Sequence, residues 1–204
     1  MKNEYFSLIL NKLHLKVLKT FKILLRKFFG FDRWHLVTYL ERQYVFDIIQ
    51  HLNNRDIRDS ALEIGCGLGD IIKRLNYNVR VGLDREKEVL SAFRFTNKIQ
   101  KFWVKSISLS IFDFEKDTVL GKYNVIIMCN WIHNIEPEFL KIKVEELMRD
   151  HLTPGGELIL DTVENKSYQY NHSPEYLYPN ISVEMKVIGN YEHGRKILSF
   201  IKKN

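Results

Sequence analysis

The apolar residues in the middle of the chain fall into short continuous runs, which are typical of strands covered on both faces of a sheet. These runs are residues 61–64, 79–83, 124–129 and 157–163. Between them, apolar residues recur at helical spacing over 86–98 and 137–152. A weaker alternation over 103–112 predicts one more strand, and the runs 181–191 and 196–201 predict a closing hairpin. Strands that alternate with helices predict an α/β fold.

Two further helices are predicted before the first strand. Within residues 6–29, one apolar face is formed by Phe6, Leu10, Leu13, Val17, Phe21, Leu24 and Phe28. Residues 33–52 read as a second helix, with Asp32 as its N-cap. We therefore divide the chain into a basic amphipathic helix (1–30), a helical cap (31–58) and a main domain (59–204).

The positive charge is concentrated in the first of these segments. The chain has a formal charge of +6, and residues 1–30 hold seven basic residues against one acid, so the remainder is neutral. Two alternatives stay open for the helix at 6–29: it packs its apolar face on the domain or on a partner chain, or it lies on an anionic membrane surface. A neutral main domain argues against a nucleic-acid partner, which requires many phosphate-neutralising bases.

The two cysteines, Cys66 and Cys129, have no zinc-like spacing with histidines. We expect two reduced thiols in a cytoplasmic protein, membrane-associated if the second alternative for residues 6–29 holds, and no metal site. No run of 18 apolar residues predicts a membrane-spanning helix.

A glycine-rich turn follows the first strand, in the stretch Glu63-Ile64-Gly65-Cys66-Gly67-Leu68-Gly69. Glycine lets a backbone turn tightly and approach a ligand closely, because it has no Cβ. We expect a helix to begin behind the turn near Ile71, with free N–H groups that attract a carboxylate or phosphate. The next strand ends in Asp84, about 20 residues past the first glycine, where nucleotide-binding units place an acid on the ribose hydroxyls.

This stretch resembles motif I of class I S-adenosylmethionine (SAM) dependent methyltransferases. Three more motifs of that family have counterparts in the right order, at Val81–Asp84, Tyr123–Ile127 and His151–Leu158. The resemblance implies SAM as cofactor and a three-layer sandwich with a seven-stranded, mostly parallel sheet and an antiparallel last strand. NAD(P)-dependent Rossmann enzymes need G-x-G-x-x-G, whereas here the third glycine comes one residue early.

The resemblance also implies roles for residues along the cofactor. The glycines would accommodate methionine and ribose, Asp84 the ribose hydroxyls, and Asp113 with Phe114 the adenine, although Phe114 as plain core stays open. Glu63 would order the turn or reach the methionine end through water, and Arg42 is a candidate for the methionine carboxylate. The full predicted cofactor set is Glu63, Gly65, Cys66, Gly67, Gly69, Asp84, Arg85, Asp113, Phe114 and Asn130.

Strand four runs into Asn130–Asn134, which resembles the N-x-L-H-H run of small-molecule methyltransferases, with His133 at the first histidine position. Such a histidine can take a proton from an acceptor hydroxyl, or it only lines the pocket. The long tyrosine-rich segment 165–179 is predicted to be an acceptor-side lid. Our candidate catalytic residues are His133, His172 from that segment, and Asp161 near the end of strand five.

The predicted function is methyl transfer from SAM to an oxygen or nitrogen of a small molecule, such as a sugar or glycan, a phenol or a lipid precursor. The alternative is a non-catalytic methyltransferase-like binding subunit that docks through its basic helix.

Overall fold

The computed structural model describes residues 2–99 and 106–203, with side chains described from residue 12 onward. The strands are β1 (Ser60–Ile64), β2 (Val79–Asp84), β3 (Ser108–Ile111), β4 (Tyr123–Met128), β5 (Leu152–Thr162), β6 (Val183–Tyr191) and β7 (Arg195–Lys202). The α-helices are α1 (Lys2–Phe29), α2 (Gln43–Asn53), α3 (Lys87–Ile99) and α4 (Pro137–Glu146).

The strands form one seven-stranded sheet in the order β3-β2-β1-β4-β5-β7-β6. Strands β1 to β5 are parallel, while β7 runs antiparallel to both of its neighbours. The predicted mostly parallel sheet with an antiparallel last strand is confirmed. The strand order reverses between β1 and β4, where Ile64 pairs with Met128, so the glycine turn and the Asn130 segment leave the sheet side by side. Ligands in open α/β sheets bind at such a switch point.

Both faces of the sheet are covered, as a three-layer sandwich requires. On one face, α2 and α3 bury Ile48, Leu52 and Phe93, each 0% exposed. On the other face, α4 buries Leu140. The segment between β5 and β6 forms turns rather than a helix, and it inserts Leu177 into the core on the α4 side.

Two predicted helices are wrong in extent. Behind the glycine turn there is only a 3₁₀ turn, Ile72–Arg74, because the chain must re-enter the sheet at Val79. In the cap, α2 begins at Gln43 instead of residue 33, after two short 3₁₀ turns. The extended backbone of Thr38 interrupts that helix, and its N–H donates to Glu41 Oε2 at 3.0 Å in a capping box. Of the strand predicted at 103–112, residues 103–105 lie outside the described residues.

The predicted first helix is confirmed as α1, but its predicted apolar face does not pack on the domain. Leu13, Val17 and Phe28 on that face are 57%, 57% and 83% exposed. The face turned to the domain instead carries Lys22 and Leu25, which are 8% and 5% exposed. The expectation of domain packing through the predicted face is therefore wrong. In the part of the chain that the structure describes, no helix combines the length and apolarity needed to cross a membrane.

Candidate functional site

Backbone hydrogen bonds join the glycine turn to the neighbouring strand β2. The N–H groups of Gly65 and Cys66 both donate to the carbonyl oxygen of Leu83, at 2.8 and 3.0 Å. Gly65, Gly67 and Gly69 all have positive φ, at +72°, +52° and +77°. Side chains with a Cβ are strained in that region, so the sequence dictates this turn.

Two buried acids accept hydrogen bonds from backbone N–H groups in and just after the turn. Asp84 accepts hydrogen bonds from Gly67 N–H at 2.8 Å and from Glu86 N–H at 3.0 Å. Glu63 accepts one from Ile72 N–H at 2.9 Å, which favours its predicted role in ordering the turn. Burial is the main cause that raises the pKa of Glu63 to about 8; the hydrogen bond from Ile72 opposes the rise, and the charges of Asp70 and Asp84 add to it.

The side chain of Trp131 covers the first glycine. A Cβ at Gly65 would collide with the indole, whose nitrogen donates a hydrogen bond to the carbonyl oxygen of Ile64 at 2.7 Å. The indole also meets the ring of Phe114 edge-to-face, with centroids 4.9 Å apart. Phe114 is thus both buried core and a wall of the crevice. A Cβ at Gly69 would instead collide with the core ring of Phe93, so that glycine serves packing.

The cap contributes His35, which covers the second glycine. A Cβ at Gly67 would lie 2.8 Å from His35 Nδ1, and His35 Nε2 lies 3.6 Å from Asp32 Oδ1 and 3.7 Å from Glu86 Oε2. Burial lowers the pKa of His35, whereas burial, then Asp32, raises the pKa of Glu86 to about 7. The ligand atoms of Asp32, His35 and Glu86 lie within 4.8 Å of one another, close enough for one metal ion to bridge them.

Basic side chains lie on the other side of the turn. Lys22 of α1 donates to Asp70 Oδ2 at 2.9 Å and to the carbonyl oxygen of Val37 at 2.7 Å. Burial first, and then the charge of Arg42 among smaller effects, lowers the pKa of Lys22. Arg42 is half-buried, and it has no carboxylate partner among the side chains that the structure describes. It therefore remains a candidate for the methionine carboxylate.

Asp113, predicted at the adenine, and Arg85, a member of the predicted cofactor set, both have solvent-facing side chains. Asp113 pairs with Lys116 Nζ at 2.7 Å and accepts from Glu115 N–H at 3.1 Å. The hydrogen bond from Lys116 is the main cause that lowers the pKa of Asp113. The side chain of Arg85 is exposed. Neither side chain makes a hydrogen bond to the glycine turn among the described contacts, although Arg85 follows Asp84 directly and Asp113 follows Phe112, whose N–H donates to the Asp84 carbonyl oxygen at 3.0 Å.

Asn130, a member of the predicted cofactor set, lies just after β4. It is one of the non-glycine residues with positive φ, at +77°. Its N–H donates to Asp161 Oδ1 at 2.9 Å, and its side-chain oxygen accepts from the hydroxyl of Tyr44. Asp161 is fully buried and forms an ion pair with Arg195, whose guanidinium lies 4.9 Å from the centre of the Tyr44 ring. These contacts hold the strained backbone in place.

The three predicted catalytic residues lie together here. The fully buried His133 donates from Nε2 to Asp161 Oδ2 at 3.3 Å, and His172 donates from Nε2 to the carbonyl oxygen of Ile132 at 3.0 Å. Among the described residues, neither Nδ1 has a partner. Burial, reinforced by the charge of Arg195, lowers the pKa of His133 to about 4, and burial also lowers the pKa of His172. Both imidazoles are neutral at pH 7.

The sequence interpretation missed Arg195 and Lys22 as parts of the site. Arg195 was read as a turn residue, yet β7 pairs antiparallel with β5 so that Lys196 faces Thr162. A base at the start of the last strand therefore meets the acid at the end of strand five. That pairing is the only signal for Arg195, and it requires knowing the strand order. Lys22 was read as one of several surface lysines, and nothing in the sequence distinguishes it.

The residues present fit SAM. Gly65 and Gly67 offer Cβ-free backbone, and Asp84 places an acid at the end of β2 beside them. Side chains, not backbone, cover both glycines.

Comparison with known proteins agrees with this assignment. Residues 57–195 match the family described as methyltransferase domain. No curated protein sequence matches the chain. The fold is similar to N-methyltransferase NodS from Bradyrhizobium japonicum WM9 with bound S-adenosylhomocysteine (SAH), at TM-score 0.68 and 14% identity over 88% of this chain and 97% of that one.

Two other solved structures are similar in fold. Magnesium protoporphyrin IX methyltransferase (ChlM) from Synechocystis PCC 6803, solved with bound SAM, has TM-score 0.66 and 13% identity over 95% of this chain and 97% of that one. A SAM-dependent methyltransferase from Clostridium acetobutylicum ATCC 824 has TM-score 0.64 and 16% identity over 82% of this chain and 93% of that one. The family match spans more than half of the chain, which therefore belongs to the methyltransferase-domain family and is a SAM-dependent methyltransferase.

Proposed function

We propose that this methyltransferase methylates a nitrogen or an acidic oxygen of a small molecule bound at the carboxyl ends of β4 and β5. The observation that carries the proposal is the orientation of His133. Its Nε2–H is fixed by Asp161, which leaves the lone pair on Nδ1 as the free end of the ring.

The low pKa of His133 favours one kind of acceptor over another. Arg195 already neutralises Asp161, so Asp161 does little to stabilise an imidazolium. A histidine with a pKa of about 4 is neutral at pH 7 and accepts a hydrogen bond readily, but it is a weak base. This supports an acceptor that attacks without prior loss of a strongly held proton, such as a neutral amine or a phenol, over an alcohol of a sugar.

The reaction needs little more from the protein than positioning. SAM supplies an electrophilic methyl group on a sulfonium, and the breaking S–C bond leaves its electron pair on sulfur. The lone pair of the acceptor forms the new bond to carbon, and the proton of the acceptor passes to the free Nδ1 of His133. Alignment of this kind is worth about 7–11 kcal/mol.

The segment 165–179 would control access to this base. The ring of Tyr168 lies 4.7 Å from that of His133, and Tyr170 N–H donates to the carbonyl oxygen of His133 at 3.0 Å. We propose that this segment is the lid of the acceptor site and opens to admit the acceptor. Its tyrosines and His172 suit aromatic ring systems, including phenols.

The methyl acceptor can be tested by SAH release. We expect the purified enzyme to release SAH from SAM with members of a panel of primary amines and phenols. His133→Asn should lower kcat/KM by about 10²-fold or more, while His151→Asn, a histidine outside the site, should not. Turnover only with sugar alcohols, or equal kcat/KM in His133→Asn, would contradict the proposal.

The cellular location is also a proposal. Cys66 and Cys129 are both buried free thiols, and burial raises the pKa of Cys129 to about 12. Such inert thiols are compatible with a cytoplasmic enzyme.

A further inference from the structure

The side of α1 that faces away from the domain is an apolar strip of five residues, which we call the outer strip. Its members are Leu13, Val17, Phe21, Leu24 and Phe28, exposed by 57%, 57%, 38%, 58% and 83%. They recur every three or four residues and so share one side of the helix. Large apolar residues rarely line up along a solvent-exposed helix unless something covers them.

The opposite side of α1 is fixed to the domain. Leu25 is 5% exposed in a cluster with Phe31 and Leu68. Lys22 binds Asp70 and Val37 next to the glycine turn, and Arg26 Nε donates to the carbonyl oxygen of Phe31 at 3.0 Å. These contacts prevent the helix from rolling to bury the outer strip against its own domain.

A row of exposed lysines lies between the outer strip and the anchored side. Lys12, Lys16, Lys19 and Lys27 are all exposed, and at 100° per residue they lie on the flank of the strip. Lys19 pairs with Glu41; among the described residues, no ion pair involves the other three. The helix therefore presents an apolar strip with unneutralised positive charge beside it.

The apolar surface continues beyond the helix. The ring of Phe28 contacts that of Phe29, with centroids 5.2 Å apart, and Phe29 contacts Phe95 of α3 at 5.6 Å. Phe95 is itself 44% exposed. The outer strip thus widens toward α3 into a broader apolar surface at the end of α1.

We propose that the outer strip docks on an anionic lipid surface, with α1 lying in the plane of the interface. An amphipathic helix with lysines beside its apolar side binds this way, because the apolar residues enter the acyl boundary while the lysines meet anionic head groups. A second copy of this chain fits worse, because pairing two outer strips brings two rows of lysines together. This inference does not depend on the identity of the methyl acceptor.

The test is flotation of the full-length protein with vesicles of phosphatidylcholine alone or mixed with phosphatidylserine. We expect binding to the mixed vesicles that weakens as salt rises. The double variant Leu24→Ser/Phe28→Ser should bind the mixed vesicles at least about ten-fold more weakly than the wild type. So should Lys12→Glu/Lys16→Glu. Leu120→Ser is the matched control, because Leu120 is 82% exposed but lies outside α1.

Thermal melting and SAH binding in solution should be the same in all four proteins, since every substituted side chain is exposed. Absent binding of the wild type to the mixed vesicles, or equal binding by the outer-strip variant, overturns the proposal. A dimer in light scattering that disappears in Leu24→Ser/Phe28→Ser also overturns it, because a second copy would then be the occupant. If the wild type does not bind SAH, the cofactor assignment is overturned, whereas the lipid-docking proposal is unaffected.

Discussion

The indole nitrogen of Trp131 donates a hydrogen bond to the carbonyl oxygen of Ile64 at 2.7 Å, and this contact lays the indole on Gly65. Ile64 ends β1 and Trp131 follows β4, so the contact crosses the switch point of the sheet. The indole fills the space between the first glycine and Phe114, where the sequence predicts the cofactor.

Removing the indole should therefore favour the cofactor. In Trp131→Ala, SAH need not displace a hydrogen-bonded ring, and we expect affinity to rise by up to about ten-fold. Isothermal titration with SAH measures this change. Trp34→Ala is the control, since Trp34 is 74% exposed in the cap. Weaker binding in Trp131→Ala would show that the indole belongs to the bound site.

The ion pair between Lys22 and Asp70 should stabilise the fold by anchoring α1 on the glycine turn. Lys22→Met leaves Asp70, whose side chain is 22% exposed, without its cation. We expect urea unfolding to show a loss of about 2–3 kcal/mol, below the value for a fully buried pair. Lys16→Met, on the exposed side of α1, should change stability by less than about 0.5 kcal/mol. Similar losses in both variants would contradict the anchoring role.

Arg195 should control the protonation of His133. Burial and then the charge of Arg195 lower the pKa of His133 to about 4. In Arg195→Gln the repulsion is gone and Asp161 keeps its negative charge, so the pKa of His133 should rise. Arg195→Lys retains the charge and should keep the pKa near the wild-type value. An NMR titration of the His133 ring measures all three proteins. An unchanged pKa in Arg195→Gln would contradict this account.

Glu63 should make stability fall as the pH rises. Its folded pKa of about 8 exceeds the ordinary value of 4.5, so its contribution is fully present below pH 4.5 and is lost as the pH rises through 8. Glu63→Gln keeps an acceptor for Ile72 N–H but cannot ionise. Between pH 4.5 and 8, the free energy of unfolding of the variant should rise relative to that of the wild type by about 1.4 kcal/mol per pH unit. The free energy of unfolding is measured by denaturation at a series of pH values. A constant difference between the two proteins at every pH would contradict the assignment.

The sequence predicted the sheet well because buried strands and glycine turns leave local signals. The runs that became β1, β2, β4 and β5 are continuous and apolar, and the positive φ of Gly65 can be anticipated from its residue type. The mostly parallel arrangement of the sheet and its antiparallel last strand came from the family resemblance. For α1 the sequence left open what its apolar face meets, and it gave no sign of the side that packs on the domain, because that side is anchored by the charged Lys22 and hydrophobic periodicity does not detect a lysine.

The sequence identified candidate residues of the site but not the contacts between them. His133, His172 and Asp161 lie together, because Asp161 is near the carboxyl end of β5 and the two histidines are in the segments that follow β4 and β5, at the same edge of the sheet. The partner of Asp161 was missed, because Arg195 reaches it through an antiparallel pairing distant in sequence. Asp113 was placed by analogy with the family, and its role at the adenine stays a prediction; the sequence did not indicate its exposed ion pair with Lys116.

The most direct test of the central claim is isothermal titration of SAM into the wild type, Asp84→Asn and Asp56→Asn. Asp84 joins the glycine turn to the end of β2, and only a carboxylate there can accept from both ribose hydroxyls in the way the assignment requires. We expect the wild type and the exposed-surface control Asp56→Asn to bind SAM equally, and Asp84→Asn to bind at least about ten-fold more weakly with an unchanged circular dichroism spectrum. No binding by the wild type, or equal affinity in Asp84→Asn, would contradict the account.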